Sequence, residues 1–253
     1  MRYDIQKAGI LRRICAGIFD TILLLVLICG IAWGVSAIID YDSQLDALSA
    51  VYEKYEKEYG IDFTLTEEQL ATAPEDEQTT YEEALNAMNN DDSAVYVLMQ
   101  LVWSSLLVVS LSLLISHFLL EFLVPVFLKN GQTLGKKVFG IALMRKDGIM
   151  VTNFSMFVRS ILGKCTIEIM VPVLLLFMMF MGMLGSIGMI LLLALLVAQI
   201  ALLIFHPHNA VIHDLLACTV AVDMNSQLIF PSVEAMLDYQ KQRAAEKAEQ
   251  ADY

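Results

Sequence analysis

The chain has 253 residues, 57% of them hydrophobic and 17% charged, and its formal net charge at pH 7 is −12. With a mean hydropathy of +0.62, this composition excludes a soluble globular domain and places the protein among membrane proteins. The acidic balance is no evidence for or against a nucleic-acid partner, and we expect none.

The first apolar run covers residues 14–39 and contains one formally charged side chain, Asp20. A transmembrane helix needs about 20 apolar residues, so residues 1–39 are predicted to hold a cytoplasmic N-terminus and a first span. The run is too long for a cleaved signal peptide. Ionisable residues inside a span are costly, which makes Asp20 a candidate functional residue. Arg13 directly precedes the run, and the spacing predicts that both side chains share one helix face.

The next segment, residues 40–94, is strongly acidic, with 16 Asp and Glu residues and two lysines. Leucines and tyrosines recur at three- and four-residue spacing up to Tyr59, which predicts an amphipathic helix that ends at Gly60. The sequence from Thr66 matches a capping box, and a further helix is expected near Thr80. We therefore expect a small helical insertion outside the membrane. Its charges could gather cations near a pore mouth, although a solvated helix face needs the same charges.

Two more apolar runs follow this insertion. Residues 95–128 predict the second span, and residues 167–205 are long enough for two short spans. Gly182, Gly185 and Gly188 near the middle of the longer run predict a tight turn between them. We expect four spans, with three as the alternative. The predicted fold class is an all-α, polytopic transmembrane helical bundle with a small extracytoplasmic helical insertion.

Basic residues set the expected orientation of the spans. They gather before the first span and in the connector of residues 129–166, whereas the acidic insertion has almost none. Short basic flanks stay on the cytoplasmic side. Both termini are therefore expected to be cytoplasmic in a bacterial cytoplasmic membrane. Residues 206–253 then form a cytoplasmic His–Asp segment and a charged helical tail.

The connector contains three patterns of interest. Its segment Gly131-Gln-Thr-Leu-Gly-Lys136 lacks the glycine spacing and the Ser or Thr that a P-loop needs. The dipeptide Asp147-Gly148 between two apolar runs predicts a tight hairpin or an extended connector. Residues 153–164 predict an amphipathic interfacial helix, with Arg159 and Lys164 placed to meet anionic lipid headgroups.

Several of these residues occur together, and in this order, in one known family. Arg13 opens the first span, Asp20 lies within it, and His213-Asp214 follows the last span. The chain thereby resembles the RDD family of bacterial membrane proteins, named for one arginine and two aspartates. The residues that match the family in the connector are Gly131, Gln132, Gly135, Lys136 and Arg159. The resemblance implies a membrane fold and, for some members, transport of small cations or protons. The acidic insertion and Cys218, where glycine is common, depart from the family pattern.

A second polar site can be predicted from helical spacing alone. His117 and Glu121 are four residues apart in the second span and therefore share a face. Antiparallel packing would bring Glu121 to nearly the depth of Asp20, so the group could relay a proton or bind a small cation. The alternative is that Arg13, Asp20, Glu121 and Asp214 neutralise one another and lock the bundle. The candidate relay residues are His117, Glu121 and His213.

Other chemistry is not expected. His206, His208, His213 and Asp214 offer metal-ligand types at a membrane edge, but an interfacial role is preferred, and we predict neither a metal nor a cofactor. No nucleophile–base arrangement is recognisable, so the protein is not expected to be an enzyme. The expected partners are the lipid bilayer, a small cation or proton, and a second copy or another membrane protein. Transport and a non-catalytic accessory or assembly role both stay open.

Overall fold

The computed structural model describes residues 5–128 and 131–251. Residues 129 and 130, with which the predicted connector begins, lie outside the described residues. The helices are α1 (Ile10–Ile38), α2 (Tyr41–Tyr59), α3 (Glu67–Thr72), α4 (Glu75–Asn90), α5 (Asp92–Leu128), α6 (Leu134–Val138), α7 (Asn153–Phe180), α8 (Gly185–Phe205), α9 (Ile212–Leu216) and α10 (Val233–Ala251). The strands are β1 (Ile141–Arg145) and β2 (Thr219–Asp223).

Four helices in the described part of the chain, α1, α5, α7 and α8, are long and apolar enough to cross a membrane. The predicted all-α class and the count of four apolar spans are thereby confirmed over the alternative of three. Many of their large apolar side chains are exposed, including Trp33 at 78% and Phe205 at 82%. Apolar side chains on the outside of a helix are what a lipid environment requires.

The third of these helices differs from the prediction. Residues 153–164 do not form a separate interfacial helix, because α7 runs without a break from Asn153 to Phe180. Its segment Val158–Met170 is wound as a π-helix, and the N–H of Val171 donates to the carbonyl of Thr166, five residues back. Arg159 is 5% exposed, so its side chain is buried and does not lie on the outer surface of the helix as expected. The helix can hold such a residue inside the protein because buried acidic partners are available, as shown below.

The turn between α7 and α8 lies where the glycines predict it. Gly182 and Gly185 have φ angles of +71° and +50°, a region that favours glycine. Gly188 allows close approach of the two helices, because a Cβ atom there would lie 2.4 Å from the Cγ atom of Met179.

The chain also contains a two-stranded antiparallel sheet that the sequence analysis did not anticipate. The turn at Asp147-Gly148 forms, and Met144 makes an isolated bridge to Met150. The main partner of β1, however, is β2, with Leu143 opposite Ala221. A local hairpin would leave β1 with only one short bridge, whereas β2 supplies an apolar strand of equal length. The first four residues of each strand are buried, so the sheet is a core of this part of the protein.

The chain divides into two compact units, Met1–Ile28 with Leu113–Tyr253, and Cys29–Ser112. Within the second unit, the acidic insertion folds as helices α2, α3 and α4. Helix α2 ends at Gly60, whose φ is +69°, and Thr66 and Gln69 form both hydrogen bonds of the predicted capping box. Helix α4 begins at Glu75, before the expected Thr80, because Pro74 serves as its N-cap residue.

The strand register can be tested by crosslinking. Hydrogen bonds from Met224 to Gly140 and from Lys146 to Cys218 make Leu143 and Ala221 a non-hydrogen-bonded pair with Cα atoms about 4.5 Å apart. In a background without native cysteines, Leu143→Cys with Ala221→Cys should form a disulfide under mild oxidation. Mass spectrometry of non-reduced peptides would detect it.

The matched control is Ile141→Cys with Ala221→Cys. This pair is two residues out of register, about 7 Å further along the strand, and should crosslink much less. Equal crosslinking of both pairs would contradict the register.

Candidate functional site

Asp214 is completely buried and is held by two arginines from different helices. Its Oδ1 atom accepts hydrogen bonds from Nε and Nη2 of Arg159, at 3.1 and 2.6 Å. Its Oδ2 atom accepts one from Nη2 of Arg13, at 3.1 Å. Burial alone would raise the pKa of Asp214, but the charges of Arg159, His213 and Arg13 outweigh it and hold this pKa well below its ordinary value. Arg13, Asp214 and Arg159 are called the Asp214 cluster below.

Asp20 binds a different set of groups. Its Oδ2 atom accepts a hydrogen bond from the Thr133 hydroxyl at 2.5 Å, and its Oδ1 atom accepts one from the Gly135 N–H at 2.7 Å. Thr133 is the N-cap residue of α6. Asp20 and Arg13 share one helix, but the carboxylate bound by Arg13 is Asp214. The carboxylate of Asp20 instead attaches the start of α6 to α1, and these three residues form the Asp20 tie.

The glycines and the glutamine of the 131–136 segment are explained by this attachment. A Cβ atom on Gly135 would lie 2.3 Å from the carbonyl oxygen of Ala16, so only glycine allows α6 to approach α1 this closely. Gly131 has a φ of +63°. Gln132 is buried, and its amide donates to the carbonyl of Ile141 at 2.8 Å. The glycines and the glutamine therefore serve to attach the segment to α1 and β1, and they do not form the backbone cradle of a P-loop.

The predicted relay of His117 and Glu121 is not assembled. Glu121 is 3% exposed and forms an ion pair with Lys164. Nδ1 of His117 lies 2.8 Å from the carbonyl oxygen of Leu113, and its Nε2 atom has no hydrogen-bond partner in residues 5–128 or 131–251. Glu121 and Asp20 border the same small void, as their predicted similar depth requires. The two carboxylates are nevertheless held by separate partners.

His213 contacts a carboxylate that the sequence analysis did not select. Its Nδ1 atom lies 2.9 Å from both carboxylate oxygens of Glu168, and its Nε2 atom lies 3.8 Å from Oδ1 of Asp214. Burial lowers the pKa of His213, as does the charge of Arg159, against the opposite effects of Asp214 and Glu168. Glu168 could have been found by the rule that selected Asp20, because it is an ionisable residue in an apolar stretch.

The π-helical winding of α7 explains how both Arg159 and Glu168 reach α9. Nine residues correspond to about two and a half α-helical turns, which would place the two side chains on opposite faces. In a π-helix with hydrogen bonds between residues five apart, each turn takes more residues, and nine residues make about two turns. Arg159 and Glu168 can therefore bind the adjacent residues Asp214 and His213.

A cavity of about 260 Å³ lies beside these groups. Four basic side chains line it, namely Arg13, Lys136, Arg159 and Lys164, together with Asp20 and His213. Lys136 is half-buried, and its Nζ atom lies 3.2 Å from the Thr133 hydroxyl oxygen. Burial lowers the pKa of Lys136 to about 8, and the charges of Arg159 and Lys164 act in the same direction against Glu121 and Asp20. This space is called the basic cavity below.

The weaker metal hypothesis finds no support in the described residues. Residues 5–128 and 131–251 contain no group of three or more His, Cys, Asp or Glu side chains that could hold a metal ion. The rings of His206 and His208 lie 5.7 Å apart, while His213 is engaged with Glu168.

The amino-acid sequence was also compared with known protein families, curated proteins and solved structures. A sequence model of the RDD family matches residues 7–218. The chain belongs to the RDD family. The matched range contains Arg13, Asp20 and Asp214. Neither a curated protein nor a solved structure matches the chain.

The contribution of the Asp214 cluster to stability can be measured directly. Arg159→Ala removes both hydrogen bonds that Arg159 donates to Oδ1 of the buried Asp214. Hydrogen bonds to charged groups are worth about 1.5–3 kcal/mol each, so the variant should lower the free energy of unfolding by about 3–5 kcal/mol. The control is Arg145→Ala, which removes an exposed pair with Asp147 and should cost at most about 1 kcal/mol. Thermal unfolding in detergent would compare them, and equal losses would contradict a buried role for Arg159.

The lowered pKa of Lys136 predicts a distinct titration. After reductive methylation with ¹³C-formaldehyde, one lysine signal should titrate near the value of about 8, well below the ordinary lysine pKa of about 10.4. The signal should be absent in Lys136→Gln and present in Lys137→Gln, whose replaced side chain is exposed. If every lysine titrates in the ordinary range, the environment described for Lys136 is wrong.

Proposed function

We propose that this RDD-family protein is a non-catalytic membrane accessory or assembly module whose Arg/Asp cluster is structural. One observation supports the proposal: the buried carboxylates of Asp214, Glu121 and Asp20 are already bound by hydrogen-bond donors of the protein itself. Asp214 is bound by two arginines, Glu121 by a lysine, and Asp20 by a hydroxyl and a backbone N–H. A transport site needs a carboxylate that can exchange its partner for the transported ion.

The energetics of buried charge support a structural role. Taking a charge out of water is expensive, and the loss is recovered only when good partners are present. Asp214 has such partners on α1 and α7. Any motion that separates these helices from α9 would therefore leave buried charges without their partners. Conduction by alternating access requires helices to move past one another, and the Asp214 cluster opposes that motion.

The charge distribution supports an orientation for this module. We place both termini on the cytoplasmic side of a bacterial cytoplasmic membrane, because the basic flanks of the apolar helices favour that side. The acidic insertion then faces outward. The module would act by binding another membrane protein or a second copy of itself.

Transport of a small cation or proton is a second candidate, favoured by one specific observation. Asp20 faces the basic cavity, and its two hydrogen-bond donors, Thr133 and Gly135, are neutral. Lys136 lies beside the same hydroxyl. A carboxylate without a direct cationic partner, next to a lysine whose pKa is lowered by burial to about 8, could exchange a proton for a cation.

Flux measurements decide between the two candidates. For the structural module, purified protein in liposomes should give no proton, Na⁺ or K⁺ flux above empty vesicles under an imposed gradient. Transport would instead give flux in the wild type that is lost in Asp20→Asn. The control is Asp46→Asn, which makes the same charge change at an exposed position of α2.

A stability measurement must accompany the flux measurement, because Asp20→Asn removes an acceptor from the Asp20 tie. Flux lost in Asp20→Asn at unchanged melting temperature, and retained in Asp46→Asn, would overturn the structural proposal.

A further inference from the structure

We propose that the basic cavity binds a phosphate group carried by an anionic phospholipid. This inference goes beyond the proposed function and does not depend on it. It rests on the charge of the cavity lining, on the unused hydrogen-bond donors of Lys136 within the cavity, and on the apolar surface beside it.

The lining of the cavity has more basic than acidic groups. Arg13, Lys136, Arg159 and Lys164 line it, whereas Asp20 is the one carboxylate that the described residues contribute to its wall. Arg13 and Arg159 share a single aspartate, Asp214, so the Asp214 cluster has a surplus of one positive charge. Lys164 is matched by Glu121. An anion in the cavity would neutralise the surplus of the two arginines.

Lys136 is the basic side chain best placed to bind such an anion. In the described part of the chain its ammonium group has no carboxylate within 4 Å, and its partner is the neutral hydroxyl of Thr133 at 3.2 Å. Thr133 donates its own proton to Asp20. An ammonium group has three donors, so at least two remain for a ligand. Phosphate oxygens are strong acceptors for such charge-assisted bonds.

The size of the cavity favours a small headgroup. At about 260 Å³ it lies below the ~300–1,000 Å³ of pockets that enclose whole drug-sized ligands. Arginine and lysine together form a typical phosphate site, with the planar guanidinium giving direction and the ammonium giving charge.

The wall of the cavity also has an apolar part, which points to a lipid. Ile14 on α1 and Leu203 on α8 contribute to the lining. Ile14 is 46% exposed and Ile18, one turn further along α1, is 56% exposed. Both helices are long and apolar enough to span a membrane. A ligand with a phosphate in the cavity and acyl chains along these helices would cover both kinds of surface. Basic pockets between membrane helices are known to bind anionic headgroups in this way.

Lipid binding can be tested on the full chain in a neutral detergent. Native mass spectrometry would follow titration with short-chain phosphatidylglycerol, with phosphatidylcholine and inorganic phosphate as the comparison ligands. Wild-type protein should bind one phosphatidylglycerol. Lys136→Gln should weaken this binding about tenfold, since a hydrogen bond to a charged group is lost. Lys137→Gln removes the same charge at an adjacent exposed position and should change it less than twofold.

A second measurement uses the wild type alone, in case Lys136→Gln folds poorly. Acetylation of Lys136 by an activated ester should slow when phosphatidylglycerol is added and not when phosphatidylcholine is added. Equal binding by wild type and Lys136→Gln, or unchanged acetylation, would overturn the proposal. Inorganic phosphate that binds as tightly as phosphatidylglycerol would overturn the lipid assignment in favour of the free anion. Neither result bears on the flux and stability measurements, so the two proposals can fail separately.

Discussion

The buried carboxylate of Asp214 is the interaction on which the rest of the structure depends. Its two oxygens bind Arg13 on α1 and Arg159 on α7, and its own helix leads directly into β2. Three segments that are distant in sequence therefore meet at one ionised group. A charge in such a place is tolerated only while its partners remain bound to it. Removing one partner of a buried ion pair is far more costly than replacing both partners with apolar groups. This asymmetry makes the cluster a constraint on assembly more than a source of net stability.

The Asp20 tie places a second constraint on the same helix, about two turns further along α1 than Arg13. It fixes α6 against α1 through Thr133 and Gly135. Between the Asp20 tie and the Asp214 cluster lies the basic cavity. The two aspartates thus perform different tasks: Asp214 binds two arginines, and Asp20 accepts hydrogen bonds from Thr133 and Gly135 at the start of α6. Protein groups already bind both aspartates. The ammonium group of Lys136, in contrast, has hydrogen-bond donors left for a ligand in the basic cavity.

The sequence was sufficient for features that depend on local physics. Apolar length predicts the four spans, and glycines with positive φ mark the turn after α7. Arg13, Asp20 and Asp214 were selected because ionisable groups beside or within apolar runs are rare, and the structure buries both aspartates and pairs Arg13 with Asp214. Their partners could not be predicted. Spacing predicted that Arg13 and Asp20 share one face of α1, because helical periodicity describes a single helix. It carries no information on which other segments pack against that helix. The same limit applies to the π-helical winding around Arg159 and to the pairing of β1 with β2, which depend on contacts between distant segments.

The central claim is that Asp214 and its arginines form one structural unit, and a double-mutant cycle tests it most directly. The free energy of unfolding would be measured for wild type, Arg159→Met, Asp214→Asn, and the double variant. Asp214→Asn leaves the guanidinium groups of Arg13 and Arg159 without their shared carboxylate, whereas the double variant restores the original balance of one net positive charge. The account predicts that the double variant is more stable than Asp214→Asn alone, with a coupling energy in the upper part of the ~0.5–3 kcal/mol range for residues in contact. Additive losses, with a coupling energy near zero, would contradict it.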